Sequence, residues 1–163
     1  MKKEMSGVAA RVYPAVAPVV EEQGCFVWDI EFVREGADQI LRITIDTDAD
    51  AGIGIDECER VHRAVDPVLD ELDPIESAYY LQVSSPGVER SLTRPWHVAA
   101  CAGEKVEARL FAPVGGKKKL TGTLLGFADP DAEEGIMIDL GTETVTLPLE
   151  TVSKLTTVFD FDA

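Results

Sequence analysis

The segment Tyr79–Leu92, reading Tyr-Tyr-Leu-Gln-Val-Ser-Ser-Pro-Gly-Val-Glu-Arg-Ser-Leu, constrains the chain more than any other. Its first half alternates as a strand does, with Tyr79, Leu81 and Val83 on one side and Tyr80, Gln82 and Ser84 on the other. Pro86 then removes a backbone donor and Gly87 admits a turn closed to other residues, so the strand must stop. The chain before this break mixes helical and strand periodicity; the chain after it reads as all-β. It is therefore divided into a first unit over 1–90, a joint over 91–95 and a second unit over 96–163.

Upstream, Val8, Val12, Val16 and Val19 or Val20 recur at helical spacing over 6–23, and Gly24 is a good stop. Pro14 and Pro18 point to a kink or a late start in this helix. Phe26, Trp28, Ile30 and Phe32 then alternate with Asp29 and Glu31, and Leu41, Ile43 and Ile45 alternate with Arg42, Thr44 and Asp46. The short turn Glu35-Gly36-Ala37-Asp38 between them predicts a hairpin. Asp56, with Glu59 three residues on, has the pattern of a capping box for a second helix. Its apolar stripe is Cys58, Val61, Val65, Val68, Leu69 and Leu72, with a bend at Pro67 and an end at Asp73-Pro74. A strand–helix–strand connection of this length favours parallel pairing. The first unit thus reads α-β-β-α-β, a small sheet with two helices on one face.

Downstream, Arg94-Pro95-Trp96-His97 opens a short helix or turn that Gly103 closes. Strands are expected near 104–111, 119–128, 136–141, 144–148 and 153–160, separated by Gly115-Gly116, Asp129-Pro130-Asp131 and Gly141-Thr142. Five short strands predict a small SH3-like β-barrel. The fold class is α+β.

Charge narrows the functions open to such a chain. The formal net charge is −15, and neither half is basic: 9 basic against 19 acidic residues up to Arg94, and 6 against 11 beyond it. Indiscriminate binding to naked nucleic acid would meet phosphate repulsion. Local basic patches, or a basic protein on a ribonucleoprotein, remain compatible with it. Cys25, Cys58 and Cys101 lie far apart and form no C-x-x-C pair, so a zinc knuckle or disulfide framework is not expected. No segment is long and apolar enough to span a bilayer, and the expectation is a cytoplasmic protein.

Several constellations invite chemistry, and each has a plainer reading. Asp46, Asp48, Asp50 and Glu57 stand at positions one, three, five and twelve of an EF-hand loop. Position six, however, is Ala51 where a glycine is needed, and the entering element reads as a strand. An acidic loop feeding a capped helix is the plainer reading, and no metal site is expected. Ser84 and Ser85 lack the G-x-S-x-G spacing, and the two histidines, His62 and His97, fall on other elements. No G-x-G-x-x-G or P-loop offers a nucleotide cofactor a cradle, and the first unit, comparable to a KH module in its elements, lacks G-x-x-G. No enzyme, cofactor or small-molecule substrate is therefore expected. The basic residues worth following are Arg34, Arg42, Arg90, Arg94 and the loop Lys117-Lys118-Lys119, which either touch phosphate or pair with local acids.

Taken together, Phe32-Val33-Arg34-Glu35-Gly36, Leu41-Arg42-Ile43-Thr44-Ile45-Asp46, Gly52-Ile53-Gly54-Ile55-Asp56-Glu57-Cys58 and Val83-Ser84-Ser85-Pro86-Gly87-Val88-Glu89-Arg90 resemble the RimP ribosome maturation factors. The likeness continues through Arg94-Pro95 and the Lys117–Gly122 loop. It implies a cytoplasmic, monomeric, non-catalytic factor with an α/β N-terminal domain and an SH3-like, Sm-like C-terminal barrel. It also implies binding to free small (30S) ribosomal subunits and help in loading small-subunit proteins, including the twelfth of the S series, through the barrel. Ser91 stands where the family usually has proline and Val98 where it usually has phenylalanine, and the end Asp160-Phe161-Asp162-Ala163 is short. The competing expectation is an Sm-like RNA-binding regulator that works apart from the ribosome; binding of short RNA to the isolated protein would favour it.

Overall fold

The structure is a computed structural model and describes residues 4–49, 52–87 and 89–158. Its contacts fall into two compact units, Met5–Pro86 and Gly87–Ala163, the latter joined by Met1–Glu4. The first unit runs α1 (Gly7–Glu22), β1 (Phe26–Glu35), β2 (Asp38–Asp46), α2 (Ile55–Leu72) and β3 (Tyr80–Ser84). The sheet order is β1-β2-β3, with β1 and β2 antiparallel and β2 and β3 parallel. A helix that leaves β2 and returns along its face can only deliver β3 in the same direction.

The core explains why these residues make these elements. Val12, Val16 and Val20 from α1 and Val61, Val65 and Leu69 from α2 share one buried cluster with Ile30, Leu41, Ile43 and Ile45. Both helices therefore cover the same face of the sheet. Pro14 and Pro18 lie inside α1, which nonetheless runs unbroken from Gly7 to Glu22. Its end is a Schellman turn: Gly24, at φ +80°, donates to the Glu21 carbonyl and Cys25 to that of Val20. The hairpin turn is the two-residue Gly36–Ala37, with Gly36 at φ +62°, the positive value a type II′ turn needs at its first central position.

Two local expectations are corrected. The alternation of β1 slips at a bulge between Val27 and Asp29. The extra residue moves Val27, opposite Ile45, onto the core side with Ile30 and Phe32. Trp28 is buried but stands apart from that cluster, and Phe26 leaves it as well. The cap of α2 also lies earlier than Asp56. Gly54 is the N-cap, and its N–H donates to Glu57 Oε2 at 2.8 Å, so Asp56 and Glu57 both sit in the first turn near the positive end of the helix. Asp73, in the left-handed region at φ 47°, closes the helix with its N–H on the Leu69 carbonyl.

The second unit contains α3 (Pro95–Ala100), β4 (Lys105–Val114), β5 (Lys117–Asp129), β6 (Glu134–Asp139), β7 (Thr144–Leu147), a turn of 3-10 helix at Leu149–Thr151 and β8 (Val152–Thr157). The expected extension of the last strand to residue 160 falls outside the described residues. All neighbours are antiparallel in the order β7-β6-β5-β4-β8. β7 and β8 are the two edges of this sheet, which is open where a closed barrel was expected. Residues 91–95, expected as a joint, are bonded into this unit. Leu92 N–H donates to the Leu155 carbonyl, Ser91 bridges Thr156, and Arg94 caps α3. A chain that breaks at Pro86-Gly87 is free to start its new pairing at once.

Val106, Ala108, Leu124, Ile136, Ile138 and Leu147 are fully or almost fully buried in this unit. Gly122 sets how closely its strands approach. A Cβ there would stand 2.3 Å from the Asp139 carbonyl oxygen and 2.8 Å from Ile138 Cγ2. Gly122→Ala must part β5 from β6 and is expected to destabilise the second unit by about 1–3 kcal/mol. Hydrogen exchange of the Leu124 and Ile138 amides, against Val65 of the first unit as internal reference, measures it; unchanged protection would contradict the close approach.

Candidate functional site

Parallel pairing sets the C-terminal end of β3 beside the N-terminal turns of α2. Between them lies an open groove of about 550 Å³, lined by Ile53, Ile55, Cys58 and Val83 with Glu59, His62, Arg63, Ser84 and Ser85. Reading along the chain put His62 and the serines on separate elements; the fold brings them to one groove. Among the described residues no hydrogen bond joins His62 to either serine, so no nucleophile is held against a base. Burial pushes the Cys58 thiol above its ordinary value, and Cys25 and Glu57 add to the rise. A thiol so placed is a poor nucleophile. The groove offers an apolar floor with polar sides, suited to holding a surface.

The acidic loop above the groove is committed to structure where it is described. Asp46 Oδ1 accepts the Thr47 N–H at 2.9 Å, and Thr47 Oγ1 donates to the Gly24 carbonyl at 3.0 Å. Glu57, the twelfth position of the EF-hand pattern, is turned to the Gly54 N–H. Asp50 and Ala51, the fifth and sixth positions, lie outside the described residues. Among the described residues no group of three or more metal-ligating side chains converges.

Of the seven basic candidates, Arg34 and Arg42 belong to the first unit and Arg90, Arg94, Lys117, Lys118 and Lys119 to the second. Arg34 pairs in register with Gln39 and shares the alternation of Ile30 and Phe32, at the exposed end of β1. Arg42 lies on the opposite face of the same sheet. Its Nη2 is 2.6 Å from Glu35 Oε1, and its Nε donates to Gln82 Oε1 at 3.2 Å. The structure thus separates the two arginines that the sequence set side by side. Arg90 Nε donates to the Gly87 carbonyl at 2.9 Å and its backbone N–H to Thr157 Oγ1 at 2.8 Å, tying the Pro86-Gly87 break to β8.

Arg94 is only 6% exposed and serves the fold in place of a surface. Its guanidinium lies 5.5 Å from the Trp96 ring centre and donates through Nη1 to the Glu4 carbonyl. His97, also buried, explains why the Arg94-Pro95-Trp96-His97 turn is fixed. Its Nδ1 accepts the backbone N–H groups of Thr93 at 3.0 Å and Arg94 at 3.2 Å, which places the ring proton on Nε2. Trp96 meets it edge to face at 5.5 Å.

Lys117, Lys118 and Lys119 follow Gly115-Gly116 at the tip of the β4–β5 hairpin and are exposed. Sequence inspection singled them out for their density but missed two cations that pairing brings to them. Arg109 on β4 stands directly opposite Lys119 on one side and Lys154 of β8 on the other. No local signal links positions so far apart; only the sheet register does.

One titration bears on the groove. The Glu57 carboxyl is held below its ordinary value by the N–H groups of Glu57 itself and of Gly54, with Arg60 adding to this and slight desolvation opposing it. A lowered carboxyl contributes stability above its unfolded-state value, about 4.3, and that contribution fades as pH falls through the lower folded-state value. The stability gap between the protein and Glu57→Ala is therefore expected to be widest at neutral pH and to narrow in acid. Urea melts across this range measure it; a gap independent of pH would remove the cap's ionic part.

Residues 15–89 match the family model described as the RimP N-terminal domain, a span that takes in nearly all of the first unit, the hairpin, the groove and the Ser84-Ser85-Pro86-Gly87 break. Over residues 15–89, just under half of its length, the chain carries the N-terminal domain of the RimP family.

Proposed function

We propose that this protein is a non-catalytic assembly factor of the small ribosomal subunit, acting in the cytoplasm as a monomer. It binds free 30S particles and helps seat ribosomal proteins, the twelfth of the S series among them. The observation that carries this reading is the family match over residues 15–89. Other features support it. The groove and the sheet faces present surfaces, and among the described residues His62 makes no hydrogen bond to Ser84 or Ser85. A net charge of −15 suits docking of basic ribosomal proteins, since complementary potentials raise encounter rates and fix register. Among the described residues no helix is long and apolar enough to cross a membrane.

The second unit is read as an SH3-like, Sm-like domain and as the part that meets the incoming ribosomal protein. Three features favour that reading. The unit's last strand β8 pairs with its first, β4. The long β5 carries Gly122 and Gly126, the latter at φ +115° where the register with β6 shifts. A 3-10 turn precedes β8. Five acids of this unit lie on its β6–β7 side, Glu134, Asp139 and Glu143 with Asp131 and Glu133 in the preceding turn, and that side is proposed to face the basic partner.

The tagged protein, sedimented with cell extract at moderate salt, is expected to migrate with free small subunits and to be absent from assembled ribosomes. A protein that stays at the top of the gradient in growing cells would overturn the proposal.

A further inference from the structure

The basic residues of the second unit are sorted in space far more sharply than along the chain. After Arg94 they are Lys105, Arg109, Lys117, Lys118, Lys119 and Lys154, and every one lies on β4, β5 or β8. The register places Lys154, Arg109 and Lys119 in one row across those three neighbouring strands. Their buried neighbours Ala108, Leu120 and Leu155 point inward, so alternation turns the row to the outside. With strands about 4.8 Å apart, three cations stand within roughly 10 Å. Like charges directly opposite one another across strands destabilise a sheet. One carboxylate offsets part of this: Glu107 Oε1 is 3.2 Å from Arg109 Nε, and its Oε2 is 3.8 Å from Lys119 Nζ. A single acid shared between two exposed bases is a weak restraint and leaves the row positive.

Phe111 adds a second feature. It lies two residues beyond Arg109 on β4, after the buried Leu110, and is 70% exposed. It falls in the stretch between Arg109 and Val114 where the pairing with β5 shifts, so no regular ladder fixes what lies over it. An exposed aromatic ring beside a row of cations has the two elements that grip an unpaired nucleotide: charge for the phosphate and a flat face for the base.

We propose that the outer face of β8, β4 and β5 binds single-stranded RNA, with phosphates on Lys154, Arg109 and Lys119 and an unpaired base on Phe111. This rests on the reading of the protein as a small-subunit assembly factor. Ribosomal proteins are basic and would be repelled by this face, whereas ribosomal RNA supplies both the anions and the unpaired bases. The two sides of the unit then divide the work, the acidic β6–β7 side meeting protein and the β8-β4-β5 face meeting RNA. Because the whole chain is acidic, the contact is local and weak on its own.

The test uses the full chain and fluorescent single-stranded oligoadenylate at low salt, with RNA duplex and polyglutamate as competing probes. Oligoadenylate is expected to bind with log affinity falling against log salt at a slope of roughly −2, three phosphates at about −0.7 each. The triple variant Arg109→Gln, Lys119→Gln, Lys154→Gln is expected to lose that slope and most of the binding. Phe111→Leu, which keeps apolar bulk without the ring, is expected to weaken binding on the order of tenfold. Arg11→Gln on α1, outside both the groove and this face, removes one charge elsewhere and is expected to change nothing. Melting curves of all variants at or above the parent's show that the fold is kept. No oligoadenylate binding, equal binding by the triple variant, or preference for polyglutamate would overturn the proposal, the last assigning the face to an acidic protein. Sedimentation with extract separates the two readings. If the parent and all variants migrate equally with free small subunits, the RNA face falls and the assembly role stands. If the parent does not migrate with them, the assembly role falls whatever the oligonucleotide shows.

Discussion

Leu41, Ile43 and Ile45 of β2 carry the first unit. All three are fully buried, β2 is the central strand, and both of its neighbours take their register from it. Burying a side chain of this size contributes about 1.5–3 kcal/mol, so this row alone outweighs any single hydrogen bond in the unit. The row also dictates direction. To cover it, α2 lies on this face of the sheet with Val61, Val65 and Leu69 in the shared core, and its connection returns the chain parallel to β2. That return brings the end of β3 beside the start of α2, and the groove exists because of it.

The same constraint accounts for the abruptness of Pro86-Gly87. β3 is short and, by pairing only with β2, finishes its work by Ser84. Residues beyond the break are at once engaged with β8, through Arg90 on Thr157 and Leu92 on Leu155. Arg94 and His97 then use their side chains inward, on a tryptophan face and on backbone N–H groups, to fix the entry into α3. Positive charge near a break in the chain thus served the fold at Arg94, and a motif rich in arginine is poor evidence of a nucleic-acid contact until burial is known.

Much of the fold was legible because it rests on periodicity. The stripes of α1 and α2, the hairpin and the parallel β3 all come from apolar spacing and turn residues. The features that escaped are those periodicity cannot express. The bulge at Trp28 inserts one residue and shifts which side chains of β1 face the core, though the run still looks alternating on paper. The cap at Gly54 has no side chain to signal it; Glu57 reaching back was the sign, and Asp56 with Glu59 formed a competing pattern two residues away. Pro14 and Pro18 sit within a helix because the packing of Val12, Val16 and Val20 outweighs two absent donors. The site was less legible still. Arg34 and Arg42 were followed together as basic candidates from their places in the chain, yet an even separation of residues across a tight hairpin puts them on opposite faces. His62 and Ser84 were held apart for the same reason and meet in one groove.

Charge placement is hidden from a linear reading in the same way. Counted along the chain, the second unit is simply acidic, and lysines at a glycine-flanked hairpin tip look like solvated ends. Counted across the sheet, the bases after Arg94 occupy three adjacent strands, while Asp131, Glu133, Glu134, Asp139 and Glu143 occupy the other two strands and the turns leading into them. A sheet gains nothing in stability by setting Lys154, Arg109 and Lys119 in one row; repulsion between directly opposed cations works against it, and mixing the two signs would be more favourable. An arrangement that costs stability and is not demanded by packing calls for a reason outside the fold. A ribonucleoprotein partner, with anionic RNA and basic protein side by side, supplies that reason for both halves of the sheet at once.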